Sequence, residues 1–241
     1  MSTTQSKLSA SAAAQQDQAT VVVSHARKVY RTPVTDVVAL DDLSWQVEPG
    51  QAVAMMGPSG CGKTTLLNLI AGMDRATSGT ITVGGDDITA FGERAMENYR
   101  LRRVGYIFQF FNLIPSLSAL ENIELPPLLA GLGKDERRSR AQELLQQMGL
   151  GDKGHKRPEE LSGGEQQRVA ICLALINDPP LIIGDEPTGN LDSRNRDAIV
   201  ELLLSLARDQ GKAVIIATHD PQVSEAFPTA YHMRDGRFVT E

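Results

Sequence analysis

The feature that most constrains this chain is the string Gly57-Pro58-Ser59-Gly60-Cys61-Gly62-Lys63-Thr64, which fits G-x-x-x-x-G-K-T. The apolar run Ala52-Val53-Ala54-Met55-Met56 precedes it, and Thr65-Leu66-Leu67-Asn68-Leu69-Ile70 follows with helical spacing. Strand, loop and helix in that order are the context that makes such a string a phosphate-binding loop. Glycines let the backbone curl into a concave row of N–H donors, and the helix start adds positive potential where a phosphate would sit. Lys63 is placed to reach the β- and γ-phosphates of a nucleotide, and the Thr64 hydroxyl to ligate Mg2+. Cys61 stands inside this loop, near a helix start where thiols tend to acidify. Its alkylation is expected to block nucleotide binding, although a small residue tolerated at a variable loop position explains it equally well.

The rest of the chain is read around that loop. Val21-Val22-Val23 begins a strand running toward Tyr30, Val38–Val47 a second, Thr80–Val83 a third, and Val104–Phe108 another after a charged helix at 93–102. Their close spacing predicts an antiparallel arrangement in the first half. From Ser118 to about Leu161 the pattern turns helical, with an interruption at Pro126-Pro127 and an amphipathic helix over 134–148. The last third alternates helix 165–176, strand 181–183, helix 193–208 and strand 213–217, both strands being continuous apolar runs as in a buried parallel sheet. In such a sheet, ligands bind beyond the carboxyl ends of the strands.

Polar residues collect at those ends. Leu181-Ile182-Ile183 leads into Gly184-Asp185-Glu186, the Walker B pattern, in which Asp185 can anchor Mg2+ near Thr64 and Glu186 can accept a proton from an attacking water. The strand at 213–217 leads into Thr218-His219-Asp220, where His219 could contact the γ-phosphate and hold that water in line; an exposed structural histidine fits the same position. Gln109 follows the strand at 104–108 and could ligate Mg2+, or act as an ordinary polar cap. Finally Leu161-Ser162-Gly163-Gly164-Glu165-Gln166-Gln167-Arg168-Val169 sets an N-capping serine and two glycines before a helix, a second anion-binding helix start. One nucleotide does not need two such helices from the same chain, so this one is expected to serve a nucleotide held by another subunit.

Composition excludes several other classes. A net charge of −6 lacks the clustered basic face of a nucleic-acid binder, and the patch Arg100, Arg102, Arg103 reads as a solvated helix face. Two cysteines at this spacing make neither a metal site nor a disulfide framework. No window approaches the roughly 20 apolar residues of a membrane span, and the Ser-, Ala-, Thr- and Gln-rich residues 1–20 read as a disordered tail without a secretory apolar core. The protein is expected to be cytoplasmic, reaching a membrane only through a partner. No N/T-K-x-D string is present, which argues against a guanine-reading switch.

The motifs, in this order, resemble those of ATP-binding-cassette (ABC) ATPases over residues 21–240. Gly57–Thr64 matches Walker A, Gln109 the Q-loop, Leu161–Val169 the signature sequence, Asp185-Glu186 Walker B with its catalytic glutamate, Asn190-Leu191-Asp192 the D-loop and His219 the switch histidine. Tyr30, after Arg27-Lys28-Val29, is similar to the A-loop aromatic that stacks on adenine; a core strand aromatic is the alternative. The strings Phe108–Ile123 and Asp185–Asp192 resemble the MacB/LolD/FtsE-like branch, which works with mechanotransmitting permeases in macrolide export, lipoprotein release or cell-envelope control.

The resemblance implies a P-loop NTPase (RecA-like) α/β core with an antiparallel β-subdomain and a helical subdomain inserted at about 110–165, within a cassette spanning 21–241. It implies ATP binding by Tyr30 and by Gly57, Pro58, Ser59, Gly60, Cys61, Gly62, Lys63, Thr64 and Thr65. Thr64, Gln109 and Asp185 would hold Mg2+, and Glu186, His219 and Gln109 would be catalytic. Ser162, Gly163, Gly164, Glu165 and Asp192 would contact ATP across a homodimer. It implies an integral-membrane permease as partner, with neither nucleic-acid binding nor direct membrane insertion; a soluble ATPase of the same type, acting on a nucleic-acid or protein assembly, is the competing class. Two positions depart from the pattern: Leu173 stands where the family has an arginine, which puts a polar contact near the Q-loop in doubt, and Gly184 where an apolar residue or alanine precedes the Walker B aspartate.

Overall fold

Two sheets of different character divide the strands. The computed structural model describes residues 21–33 and 35–239, so the expected tail at 1–20 lies outside the described residues. In the first sheet, β1 (Val21–Arg31), β2 (Asp36–Val47), β4 (Ser78–Val83) and β5 (Asp86–Asp87) pair antiparallel in the order β2-β1-β4-β5. Val21, Val23 and Ala26 of β1 are buried between more exposed neighbours, the alternation of a sheet with one covered face.

The second sheet has the order β10-β9-β3-β8-β7-β6. It comprises β3 (Ala52–Met56), β6 (Val104–Ile107), β7 (Leu181–Asp185), β8 (Ala213–Thr218), β9 (Thr229–Arg234) and β10 (Arg237–Val239), parallel except where β10 pairs with β9. This corrects the reading of the early strands as uniformly antiparallel. β3 and β6 are near-continuous apolar runs whose partners lie far along the chain, Val53 opposite Ile215 and Tyr106 opposite Ile183. β9 and β10 were not foreseen, because their polar, half-exposed residues carry no apolar run.

Helices cover both faces of the parallel sheet. They are α1 (Lys63–Ile70), α2 (Glu93–Arg103), α3 (Ala119–Leu129), α4 (Lys134–Gln147), α5 (Gly163–Leu175), α6 (Ser193–Gln210) and α7 (Pro221–Ala226). Period-two alternation along β8 sends Ile215 to the side packed with Leu66, Ile70 and the antiparallel sheet, and Val214 and Ile216 to the side packed with Leu203 and Leu206 of α6. Ile215 and Ile216 are fully buried, each worth about 1.5–3 kcal/mol of burial.

A third cluster joins Ile123 of α3, Leu145 of α4, Leu150, and Val169 and Cys172 of α5. Ile171 and Leu175, on the other side of α5, belong to the sheet's own core, so this helix is shared between the helical block and the sheet. The prolines do not interrupt α3. The Ser118–Glu121 capping box fixes its start, and the carbonyls of Pro126 and Pro127 still accept from Ala130 N and Leu132 N. Only the bonds that N–H groups at 126 and 127 would have made are lost, near the helix end. Gly184 is explained by packing, since a Cβ there would sit 3.0 Å from Pro187 Cγ and 3.1 Å from Ile216 Cγ2. Nothing in the structure explains Leu173.

Candidate nucleotide-binding site

The loop between β3 and α1 is built by close backbone approach. A Cβ on Gly57 would lie 2.3 Å from the Met233 carbonyl oxygen, and one on Gly62, at φ +109°, would lie 2.5 Å from that of Ala39. Glycine is therefore required at both positions by sterics alone. Lys63, 8% exposed, donates from Nζ to the carbonyls of Gly57 (2.6 Å) and Pro58 (3.2 Å), which holds its ammonium in the concavity. Cys61 is 5% exposed with Sγ 3.8 Å from that ammonium, so a thiol reagent reaches it only when the loop opens.

Ser59, Gly60, Gly62, Lys63, Thr64 and Thr65 share one cavity of about 330 Å3 with Gln109, Asp185, Glu186, His219 and Ala39. The sheet order explains the convergence. β3, β8, β7 and β6 are consecutive neighbours running the same way, so their carboxyl ends meet beside the loop. Thr64 Oγ1 donates to Asp185 Oδ1 at 3.2 Å. Burial outweighs that bond and pushes the Asp185 carboxyl above its ordinary range, with Glu186 nearby adding to the shift. A desolvated carboxylate beside a hydroxyl is an all-oxygen donor pair of the kind Mg2+ takes. No cluster of three or more His, Cys, Asp or Glu side chains suited to a metal occurs among the described residues. The remaining ligands would therefore have to come from Gln109, phosphate and water.

Glu186 adopts φ +50°, the left-handed region that a residue with a Cβ avoids unless its surroundings hold it there. Here the backbone is pinned by Glu186 N donating to Ala217 O (2.9 Å) and Gly189 N donating to Glu186 O (3.1 Å). The turn leaves Glu186 Oε1 2.8 Å from His219 Nδ1. The carboxylate is largely buried and the imidazole mostly exposed, so one ring nitrogen meets Glu186 while the rest of the ring faces the opening. The Gln109 carbonyl accepts from Asn190 Nδ2 at 2.8 Å, tying the segment after β6 to the turn after β7.

Ser162, Gly163, Gly164, Glu165 and Asp192 do not line this cavity. They form a second assembly. Ser162 N, at the cap of α5, donates to Glu165 Oε2 (2.9 Å), and Lys153 forms a short ion pair with Glu165. These contacts, Lys153 first, hold the Glu165 carboxyl down at about 2. Asp192 caps α6 by accepting from Asn195 N (2.9 Å) and Asn195 Nδ2 (2.7 Å), and Asn195 Oδ1 accepts from Arg168 Nη1 (3.1 Å). Asn195 thus braces α5 against the start of α6. Sequence reasoning missed it, although an asparagine three residues after a capping aspartate is a local signal that could have found it. It missed Lys153 and Ala39 as well, whose partners are set only by the fold.

Tyr30, at the end of β1, lies beside the cavity rather than lining it and is 38% exposed. Its hydroxyl donates to Asp74 Oδ2 at 2.8 Å; burial, and then this carboxylate, raise the phenol above its ordinary range.

Comparisons with known proteins agree with this geometry. Residues 40–189 match the family model described as ABC transporter. An uncharacterized ABC transporter ATP-binding protein of Thermotoga maritima is 44% identical over 87% of this chain and 89% of its own length. The lipoprotein-releasing system ATP-binding protein LolD of Chromohalobacter salexigens is 42% identical, over 87% and 89%. The macrolide export ATP-binding/permease protein MacB of Bradyrhizobium diazoefficiens is 41% identical over 92% of this chain, which spans only 34% of that longer protein. Among solved structures, the ATP-binding cassette MJ0796, a dimer in a post-hydrolysis state bound to ADP and Pi, superposes with a TM-score of 0.86 at 37% identity, over 91% of this chain and 97% of that one. Taken with the shared cavity and the sheet order, these matches show that the chain belongs to the ABC transporter family, as an ATP-binding, ATP-hydrolysing subunit of the MacB/LolD-like branch.

Proposed function

We propose that two copies of this chain close head to tail around two ATP molecules and drive a separate membrane permease by that closure. The observation that carries this reading is the division of labour within one chain. Lys63, Thr64, Gln109, Asp185, Glu186 and His219 share a cavity, while Ser162, Gly163, Gly164, Glu165 and Asp192 stand outside it. ATP carries several negative charges that must be compensated before two protein surfaces can meet over it. The loop amides and Lys63 do so on one side, and the α5 start of the second copy on the other. MJ0796 being a dimer supports this arrangement.

Within the closed site, Tyr30 stacks on the base, and Thr64, Gln109 and Asp185, which share the cavity, would hold Mg2+. The bound Mg2+ supplies charge neutralisation at the phosphate oxygens. Glu186 takes the proton of the attacking water; His219, 2.8 Å from it, fixes the orientation of its carboxylate and faces the γ-phosphate. Loss of the γ-phosphate removes the anion bridging the two copies, and the dimer opens.

No helix among the described residues is long and apolar enough to cross a membrane. Phe110 and Ile114, 71% and 43% exposed just after Gln109, offer that permease an apolar foothold coupled to the site. The relatives' roles in macrolide export and lipoprotein release point to the same class of work. The test is Glu186→Gln. This variant keeps a side chain of the same size but cannot accept the proton. It is expected to bind ATP, to lose on the order of 100- to 10,000-fold in turnover, and to accumulate as an ATP-bound dimer on light scattering. Turnover at the unmodified rate would remove Glu186 from the base role.

A further inference from the structure

We propose that Asp74 and Lys28 clamp the Tyr30 ring in place as the platform for the nucleotide base, which makes Asp74 a positioning residue for nucleotide binding. The inference rests on the reading of Tyr30 as the stacking residue and adds what holds it there. A half-exposed aromatic at a strand end ordinarily samples several rotamers, and a base stacking on it must then bear the cost of ordering it. Here the ring is held before any ligand arrives. Its hydroxyl donates to Asp74 Oδ2 at 2.8 Å, and the Lys28 ammonium lies 4.7 Å from the ring centroid, within cation–π range. The ammonium covers one face of the ring and leaves the other for a base.

Both carboxylate oxygens of Asp74 are engaged. Oδ2 takes the Tyr30 hydroxyl; Oδ1 takes Lys28 Nζ (2.6 Å) and Arg75 N (2.7 Å). Lys28 Nζ donates further to the Arg75 carbonyl (2.8 Å), and its side chain is only 12% exposed. The neighbouring backbone is laced to β1 as well, Val29 N donating to Thr77 Oγ1 (3.0 Å) and Thr77 N to Arg27 O (2.8 Å).

The location of Asp74 gives the clamp its meaning. Asp74 lies in the turn that follows α1, four residues past Ile70, and Met73 N (2.8 Å) and Asp74 N (3.2 Å) both donate back to the Asn68 carbonyl within that helix. The start of α1 carries Lys63 and Thr64 of the phosphate loop. One short helix, about 12 Å long for eight residues, and the turn bonded back onto it therefore connect the phosphate-holding end to the residue that fixes the ring. The base platform and the phosphate cradle are set at one spacing.

The experiment measures affinities for a fluorescent ATP analogue and, by competition, for inorganic triphosphate, on the full-length wild type and on Asp74→Ala, Tyr30→Phe and Tyr30→Ala. A clamp acting through the base predicts that Asp74→Ala weakens the ATP analogue about fivefold to tenfold and leaves triphosphate unchanged, with Tyr30→Phe shifting in the same direction. If Asp74→Ala weakens both ligands alike, Asp74 merely supports α1 and the proposal falls. If Tyr30→Ala weakens the analogue while Asp74→Ala and Tyr30→Phe do not, the ring stacks without needing the clamp, and again the proposal falls. If Tyr30→Ala itself has no effect, the stacking reading fails and the clamp with it.

Discussion

Gly163 and Gly164 are adjacent and identical in chemistry, but the structure gives them different tolerances to a methyl group. A Cβ on Gly163 meets nothing nearer than 3.9 Å. A Cβ on Gly164 would lie 2.8 Å from Asn195 Cγ, 2.9 Å from its Oδ1 and 3.0 Å from its Nδ2. Ordinary carbon contacts begin near 3.5 Å, so the Asn195 amide must retreat by about 0.7 Å. It is not free to do so, because the same amide bonds both Arg168 and Asp192. Overpacking costs about 1–3 kcal/mol and a strained or broken hydrogen bond about 1 kcal/mol more. The better helix propensity of alanine offsets up to about 1 kcal/mol.

Gly164→Ala is therefore expected to destabilise by about 1–3 kcal/mol. At about 2–4 °C per kcal/mol for a domain of this size, that lowers Tm by about 2–12 °C. Gly163→Ala, with no steric opposition, should melt at or slightly above the wild type. Calorimetry of the three nucleotide-free proteins decides the matter. A Gly164→Ala variant as stable as Gly163→Ala would refute both the steric argument and the role of Asn195 as a brace.

Two other substitutions separate the halves of the site. Lys63→Ala removes the one ammonium lodged in the phosphate loop, so ATP affinity in equilibrium binding should fall on the order of 100-fold; tight binding retained would contradict its assigned contact. Ser162→Arg lies outside the cavity, so a single chain should keep its ATP affinity within about twofold. Placed in the Glu186→Gln background, it should abolish the ATP-dependent dimer seen by light scattering. A dimer of undiminished stability would undo the assignment of Ser162 to the partner's nucleotide.

Much of the fold was legible because its signals are local. The phosphate loop, the apolar runs ending in Asp185 and Thr218, and the spacing of α5 and α6 each declare themselves within a few residues. The parallel placement of β3 and β6 was not legible, because it depends on partners more than 70 residues away. β9 and β10 were hidden by polar residues, and the continuity of α3 by prolines that sit where few helical bonds remain to be lost. The polar side chains that line the cavity were named from sequence. What was missed is the scaffolding that orients them: Asn195 between Arg168 and Asp192, Lys153 on Glu165, and Asp74 on Tyr30. Apart from the local Asp192–Asn195 pair, such contacts join residues whose proximity only the fold creates.

The most direct measurement is the ATPase rate per molecule across a wide range of protein concentration, from dilutions at which light scattering finds single chains upward. If each chain, as proposed, carries only part of what closes over a nucleotide, the rate per molecule should climb steeply with concentration and level off once paired chains predominate. A rate that stays constant down to demonstrably single chains would mean that one chain holds a complete reaction site, and the account would be wrong.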